Sequence, residues 1–355
     1  MGLGAVVVLA TETDKEAGLY AGHNGSGKSL VAQPLGCVEV IGRPLVERAI
    51  EHLLRAGVEK VTVVASGEIL RNCPSLANRR DEVALELSAN SDSATNDVLQ
   101  TYAGQGIEHS LVLSGNLYAE TDLLDFVFFH REAKKGVTRA FDHEGPLDMW
   151  VVDCAEHSRF DLETMNALDR NGASYFVAGY VRRLLHPRDL RAIIADSLGG
   201  VSAMRPSGEE VRPGIWIDEG AEIDRRARIV APAYIGCGSK IREDALVTRC
   251  SSIERDCHID FGTIIEDSSI LANTRVGIWL DVRHAVASGN KMMSLKHDVL
   301  LEIADSNVIR FNGMLPKEEF SAEAKRTAQP VASKLQPEAA PAPETWQLGA
   351  NLIQG

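Results

Sequence analysis

Residues 217–271 read, in groups of six, IDEGAE IDRRAR IVAPAY IGCGSK IREDAL VTRCSS IERDCH IDFGTI IEDSSI L. The first position of each group is a branched aliphatic: Ile217, Ile223, Ile229, Ile235, Ile241, Val247, Ile253, Ile259, Ile265 and Leu271. If about one residue in four were of this kind, such a run would arise by chance about once in a million trials. Two positions before each aliphatic from Ile223 onward stands a small residue: Ala221, Ala227, Ala233, Ser239, Ala245, Ser251, Cys257, Thr263 and Ser269. A period of six fits neither a helix nor a hairpin ladder. It fits short flat strands joined by tight corners, each contributing one aliphatic to an interior column. About 1.5–3 kcal/mol per buried side chain makes such a column a strong organiser. The phase is expected to break at Gly277 and the repeat to end near Val286.

Outward from the repeat, Ala5 to Ala10 (AVVVLA) reads as a buried parallel strand. Pro44 to Ala56 reads as a helix, with Leu45, Ala49, Ile50, Leu53 and Leu54 on one face and Gly57 beyond its end. Val58 to Ala65 is a second strand. Ser110 to Leu113 is a third, leading into Gly115 and a helix from Asp122 to Lys135 closed by Gly136. Strand, helix and strand in succession predict an α/β half with a parallel sheet, whose ligands bind at the carboxyl ends of the strands.

The 355 residues carry 37 basic and 50 acidic side chains, a net charge of −13. That balance disfavours a nucleic-acid partner. The longest apolar runs are far below the roughly 20 residues of a membrane span, and no secretory signal is visible, so the expectation is a cytoplasmic protein without a membrane partner. The six scattered cysteines, with no Cys-x-x-Cys pair, predict reduced thiols and neither a disulfide framework nor a structural zinc.

The six-residue period resembles the hexapeptide repeat of left-handed parallel β-helices, and that resemblance implies about 18 residues per triangular coil. Two stretches of the first half, PLGCVEVIGRPLVERAIEHLLRAGVEKVTVVAS (residues 34–66) and LVLSGNLYAETDLLDFVFFHREAKKG (residues 111–136), resemble sugar-1-phosphate nucleotidyltransferases. In that family an α/β Rossmann-like nucleotidyltransferase domain is often followed by a left-handed parallel β-helix. The organisation implied here is a nucleotidyltransferase-like domain over residues 1–205, a β-helix over 206–290, a short β cap over 291–315 and a disordered Ala/Pro/Glu-rich tail over 316–355. The family joins a nucleoside triphosphate to a sugar 1-phosphate with magnesium, releasing pyrophosphate. The resemblance therefore implies a nucleoside triphosphate or nucleotide sugar and a sugar phosphate as partners. A homo-oligomer through the flat β-helical faces is expected by the same analogy.

Three departures fall on the chemistry. Where the family has a glycine-rich, arginine-bearing loop after the first strand, this chain has Thr11-Glu12-Thr13-Asp14-Lys15-Glu16. Where it has proline-lysine, this chain has Pro34-Leu35. Its magnesium-carrying glycine-aspartate is Gly115-Asn116, a weaker ligand set for a hard dication. Reduced or lost activity is the expectation, with a non-catalytic sugar-nucleotide-binding or scaffolding relative in polysaccharide biosynthesis as the alternative. The candidate residues are Lys15 and Lys28 for catalysis, Ala10, Thr11, Gly25 and Gly27 for nucleotide binding, and Asn116 and Asp122 for Mg2+. The competing reading makes Lys15 and Lys28 solvated loop charge and Asp122 a first-turn helix residue.

Gly22 to Ser29 (GHNGSGKS) matches a P-loop pattern, yet the strand ends a dozen residues too early and Pro34 follows too soon for a helix. It reads instead as a mobile glycine-rich loop. His258 raises a weaker alternative, a hexapeptide-repeat acyltransferase, but its place before Ile259 is that of an outward, solvated residue. His284 reads as part of a closing turn. Asp142, His143 and Glu144 read as turn residues without metal spacing. Arg182, Arg183 and Arg188 are read either as sugar-phosphate contacts or as the exposed face of a helix starting at Pro187.

Overall fold

The aliphatics of the six-residue period fold into a single interior column. Ile235, Ile241, Val247, Ile253, Ile259 and Ile265 are buried together, while the first members, Ile217, Ile223 and Ile229, pack against the column half-buried. The computed structural model describes residues 2–9, 30–31, 34–67, 69, 73, 76, 79, 81–88, 90–155 and 172–312. Successive hexads lie on three different ladders. Ile223 pairs in parallel with Ile241, Ile229 with Val247 and Ile235 with Ile253, so the chain returns to the same ladder every 18 residues. The small residues face inward too and stitch the corners. Ser239 Oγ donates to the Glu254 carbonyl at 2.6 Å and accepts from Cys257 N at 3.0 Å. Thr263 Oγ1 does the same between Gly277 O and Leu280 N. Each corner hydroxyl thus replaces the water that a buried carbonyl and amide lose.

The period slips earlier than the sequence suggests. Ile253 pairs with Ile270, not Leu271, because the corner around Asp267 is one residue shorter. Ser268 rather than Ser269 takes the stitching position, its amide donating to Ser251 Oγ. Leu271 therefore leaves the column and joins Tyr234, Val286, Leu190 and Ile193 in a second apolar cluster. The column continues through Val276 and Val282. Antiparallel strands Ala285–Ser288, Lys291–Ser294 and Val299–Glu302 then extend one ladder, and Ile309–Phe311 covers Thr274–Val276.

In the first half, seven strands form one sheet. They are β1 (Gly2–Val8), β2 (Lys60–Ala65), β3 (Val83–Leu87), β4 (Ile107–Ser114), β5 (Val137–Asp142), β6 (Gly145–Asp153) and β7 (Ala173–Phe176), in spatial order β7-β5-β6-β4-β1-β2-β3. Only β6 runs antiparallel to its neighbours. Among the described residues, the helices are α1 (Leu45–Arg55), α2 (Ser91–Gly104), α3 (Leu123–Ala133) and α4 (Pro187–Leu198). Val46, Ile50 and Leu53 of α1 and Phe126 and Val127 of α3 cover one sheet face. Val98, Leu99 and Tyr102 of α2 cover the other. α3 ends sooner than its glycine implied, at Ala133, with Lys134 taking the left-handed conformation (φ 50°).

The halves meet at a hairpin turn. Ile41 and Gly42 both have positive φ, and their amides both donate to the fully buried Glu254 carboxylate at 2.9 Å. A Cβ on Gly42 would run into Tyr234 Oη and Ser207, so glycine is required there. Among the described residues no helix is long and apolar enough to cross a membrane, and no disulfide joins the cysteines.

Candidate functional site

The carboxyl ends of the parallel strands carry a cleft of about 720 Å³, a volume typical of small-molecule sites. Its floor is apolar, with Leu113 of β4 and Met149 of β6. One wall is the polar stripe of α1, where Arg48, Glu51, His52 and Arg55 follow the i, i+3, i+4, i+7 spacing of a single helix face. Glu120 and Thr121 lie opposite. Arg43 and Arg205 close the rim, the latter on the connector (Ala203 to Ser207) that leads to the second half.

Four arginines against two glutamates make the cleft locally cationic in a chain whose net charge is −13. Glu51 organises three guanidinium groups: it binds Arg43 in two contacts, Arg55 at 3.2 Å and, from behind, Arg79 at 3.3 Å. Although burial works against it, hydrogen bonding to Arg43 holds the Glu51 carboxyl below its usual range. Arg48 is held by backbone carbonyls, donating to Val40 O (3.0 Å), Ile41 O (3.2 Å) and Arg205 O (3.0 Å), while its buried Nε has no partner. Glu120 is spoken for by Tyr118 Oη, Ser202 Oγ and Ala203 N. Burial and the neighbouring Arg55 depress the His52 pKa, so its imidazole is neutral near pH 7. The assembly suits a phosphate-bearing ligand of moderate size: planar donors for oxygens, an apolar floor and a neutral imidazole.

Beside the cleft, three backbone segments converge. A Cβ on Gly36 would strike the Gly115 carbonyl, and one on Gly115 would strike Leu9, so the ends of β1 and β4 and the turn Leu35–Cys37 touch. Asn116 sits here; its backbone carbonyl accepts from Leu184 N, and its buried Oδ1 has no hydrogen-bond partner. Asp122 is exposed and caps α3, its Oδ1 accepting from Leu124 N and Asp125 N. Lys15, Lys28, Ala10, Thr11, Gly25 and Gly27, with the rest of the P-loop-like segment, lie outside the described residues.

Other sequence candidates are engaged structurally. Arg182 pairs with Asp196 at 2.7 Å, Arg183 with Asp142 and Glu144, and Arg188 with Asp298, so none of the three lines the cleft. His258 is a correction to the outward, solvated reading. It is 9% exposed and hydrogen-bonded at 3.1 Å to Asp260, which Arg275 also grips. An Arg beside the carboxylate weakens the aspartate as a partner for a catalytic imidazole.

The cleft arginines, His52, Tyr118 and Glu120 were not read from the sequence as site residues. The stripe on α1 was the available signal, because a polar helical face ordinarily reads as solvated.

No protein-family model matches this chain, and no curated protein matches it. Among solved structures, HddC from Yersinia pseudotuberculosis, crystallised as a complex with GMP-PN, is similar over 53% of this chain and 96% of its own. The two share 14% sequence identity, with a TM-score of 0.40.

Proposed function

We propose that this chain is a sugar-1-phosphate nucleotidyltransferase-like protein that retains the phosphate-binding cleft and has reduced or lost turnover. The observation that carries the reading is the cationic, apolar-floored cleft at the carboxyl edge of a parallel sheet, next to the Leu9–Gly36–Gly115 convergence. In the reaction, a sugar-phosphate oxygen attacks the α-phosphorus of the triphosphate. The new phosphorus–oxygen bond forms as the α–β anhydride breaks, and pyrophosphate leaves. Arg43, Arg55 and Arg205 bind and orient the phosphate-bearing ligand, Arg48 adds positive charge to the wall from its backbone anchors, and the apolar floor excludes water beneath.

The described residues do not make a strong magnesium site. Asn116 offers an unpartnered amide oxygen without charge, and the Asp122 carboxylate already caps a helix. This poor metal ligand set is the physical reason for reduced turnover. The second half, with three parallel ladders and 18 residues per circuit, supports reading it as the left-handed β-helix of the same family.

The test measures pyrophosphate release over a panel of nucleoside triphosphates and sugar 1-phosphates, alongside thermal shifts with nucleotide sugars. The reading expects stabilisation by at least one phosphate-bearing ligand and little turnover, with Asn116→Asp raising turnover or magnesium affinity. Absence of both binding and turnover overturns it, and rapid wild-type turnover overturns the impairment.

A further inference from the structure

We propose that His109, His130 and Asp153 form a binding site for one divalent transition-metal ion, zinc by preference. The three come from three rigid elements. His109 of β4 and Asp153 of β6 are direct partners across the antiparallel pair, and His130 enters from α3. Asp153 Oδ1 lies 2.7 Å from His109 Nδ1 and 3.1 Å from His130 Nε2. One donor atom of each residue lies within 4.8 Å of the other two. Ligands about 2.0 Å from a tetrahedral centre lie about 3.3 Å from one another. Seating an ion therefore requires the Asp153 contacts to open by about 0.6 and 0.2 Å and the two imidazole donors, within 4.8 Å of each other, to settle toward the same spacing.

The surroundings already orient the donors. Thr138 Oγ1, on a fully buried residue of β5, faces the second nitrogen of His130 at 2.7 Å. With that nitrogen protonated and donating to the threonine, the lone pair on Nε2 points at the shared centre. Metal-bound histidines ordinarily have such an outer partner. Two imidazoles and one carboxylate suit zinc and its transition-metal neighbours, whereas magnesium takes oxygen ligands. His130 is 1% exposed, while His109 and Asp153 are 15% and 25% exposed, which leaves an entry path and room for water as a fourth ligand. The site lies at the amino edge of the parallel strands, away from the arginine cleft, and stands whether or not the proposed activity does. A bound ion ties α3 to the centre of the sheet, so its effect is read as stability.

The full-length protein is stripped with chelator and dialysed, then titrated with zinc sulfate and, separately, cobalt(II) chloride. The expected result is one retained zinc per chain by mass spectrometry, a rise in Tm, and a tetrahedral cobalt spectrum without thiolate charge-transfer bands. Asp153→Asn and His109→Gln, close in size to the originals, each lower zinc affinity at least about tenfold and remove the Tm rise. His143→Gln, in the exposed turn between β5 and β6, changes neither. Circular dichroism establishes that each variant is folded; if Asp153→Asn is not, His109→Gln decides. Unchanged affinity in the folded variants overturns the proposal. So does failure of the wild type to retain zinc, or a thiolate spectrum placing the ion on a cysteine such as the exposed Cys237.

Discussion

The repetitive half and the α/β half solve different problems with the same side-chain chemistry. In the coil, each aliphatic and each small residue serves one geometric purpose, repeated every six positions, and near neighbours satisfy the corners. In the cleft, Arg43, Arg48 and Arg55 lie within thirteen residues of one another, but Arg205 arrives from the far end of the domain on the connector to the coil. Local periodicity builds a scaffold that tolerates small slips such as the one at Asp267. A site assembled from distant segments has no such redundancy, because Arg43 and Arg55 both depend on Glu51 and Arg48 on backbone carbonyls. The turn at Ile41 and Gly42, clamped by Glu254, is where the two strategies meet.

The largest expected effect distinguishes the middle of the column from its beginning. Ile259→Ala, at a fully buried position, is expected to lower unfolding free energy by about 2–5 kcal/mol in urea titrations. Ile223→Ala, half-buried at the start, is expected to cost about half as much or less. Equal losses at both sites would break the picture of a continuous interior column.

How much of this was legible follows from the same contrast. The period from Ile217 to Ile265 showed directly, because every aliphatic takes the same inward position in its coil. The slip that replaces Leu271 with Ile270 did not, since two adjacent apolar residues satisfy either phase and only the corner's length decides. β1, β2, β4, α1 and α3 were visible from apolar runs and helical spacing. β3 and α2 were not. β3 (VALEL) has only one buried residue, and α2 (SDSATNDVLQTYAG) is capped by Asn90 but buries small and polar residues such as Ala94 and Thr95. Of the candidate site, Asn116 was legible from its place after the strand, and Asp122 from its place at a helix start. The arginine cleft stayed hidden because its members share no sequence pattern once Arg205 is included.

The junction is expected to respond to pH. Burial, reinforced by Glu39, pushes the Glu254 carboxyl up to about 8 against the pull of two backbone amides. Burial likewise pushes Glu39 up to about 7, against Arg255. Both folded-state values exceed the unfolded value, so the folded protein holds extra protons between about pH 4.5 and 8. This contribution is full below about pH 4.5 and is lost as pH rises through 7 to 8, with a slope of at most about 1.4 kcal/mol per pH unit for each group. Tm measured from pH 5 to 9 should fall over that window, and Glu254→Gln should flatten the fall. A wild-type Tm that rises across the window would contradict the buried-carboxylate account.

The smallest effect concerns Asp122. As a helix cap, its replacement by alanine is expected to cost about 1 kcal/mol, read by thermal unfolding. Ligand affinity in the cleft should stay unchanged. A large loss of nucleotide or magnesium binding in a folded Asp122→Ala protein would move this residue from the scaffold to the site.

The most direct measurement is calorimetric titration of the wild type and an Arg55→Ala/Arg205→Ala variant with the phosphate-bearing ligand that most stabilises the wild type. Both arginines are exposed, Arg55 on the α1 wall and Arg205 on the rim, so the variant should unfold at nearly the same temperature. The cleft account predicts at least about a tenfold loss of affinity, the worth of one or two charge-assisted hydrogen bonds. Wild-type affinity in a folded double variant would contradict it.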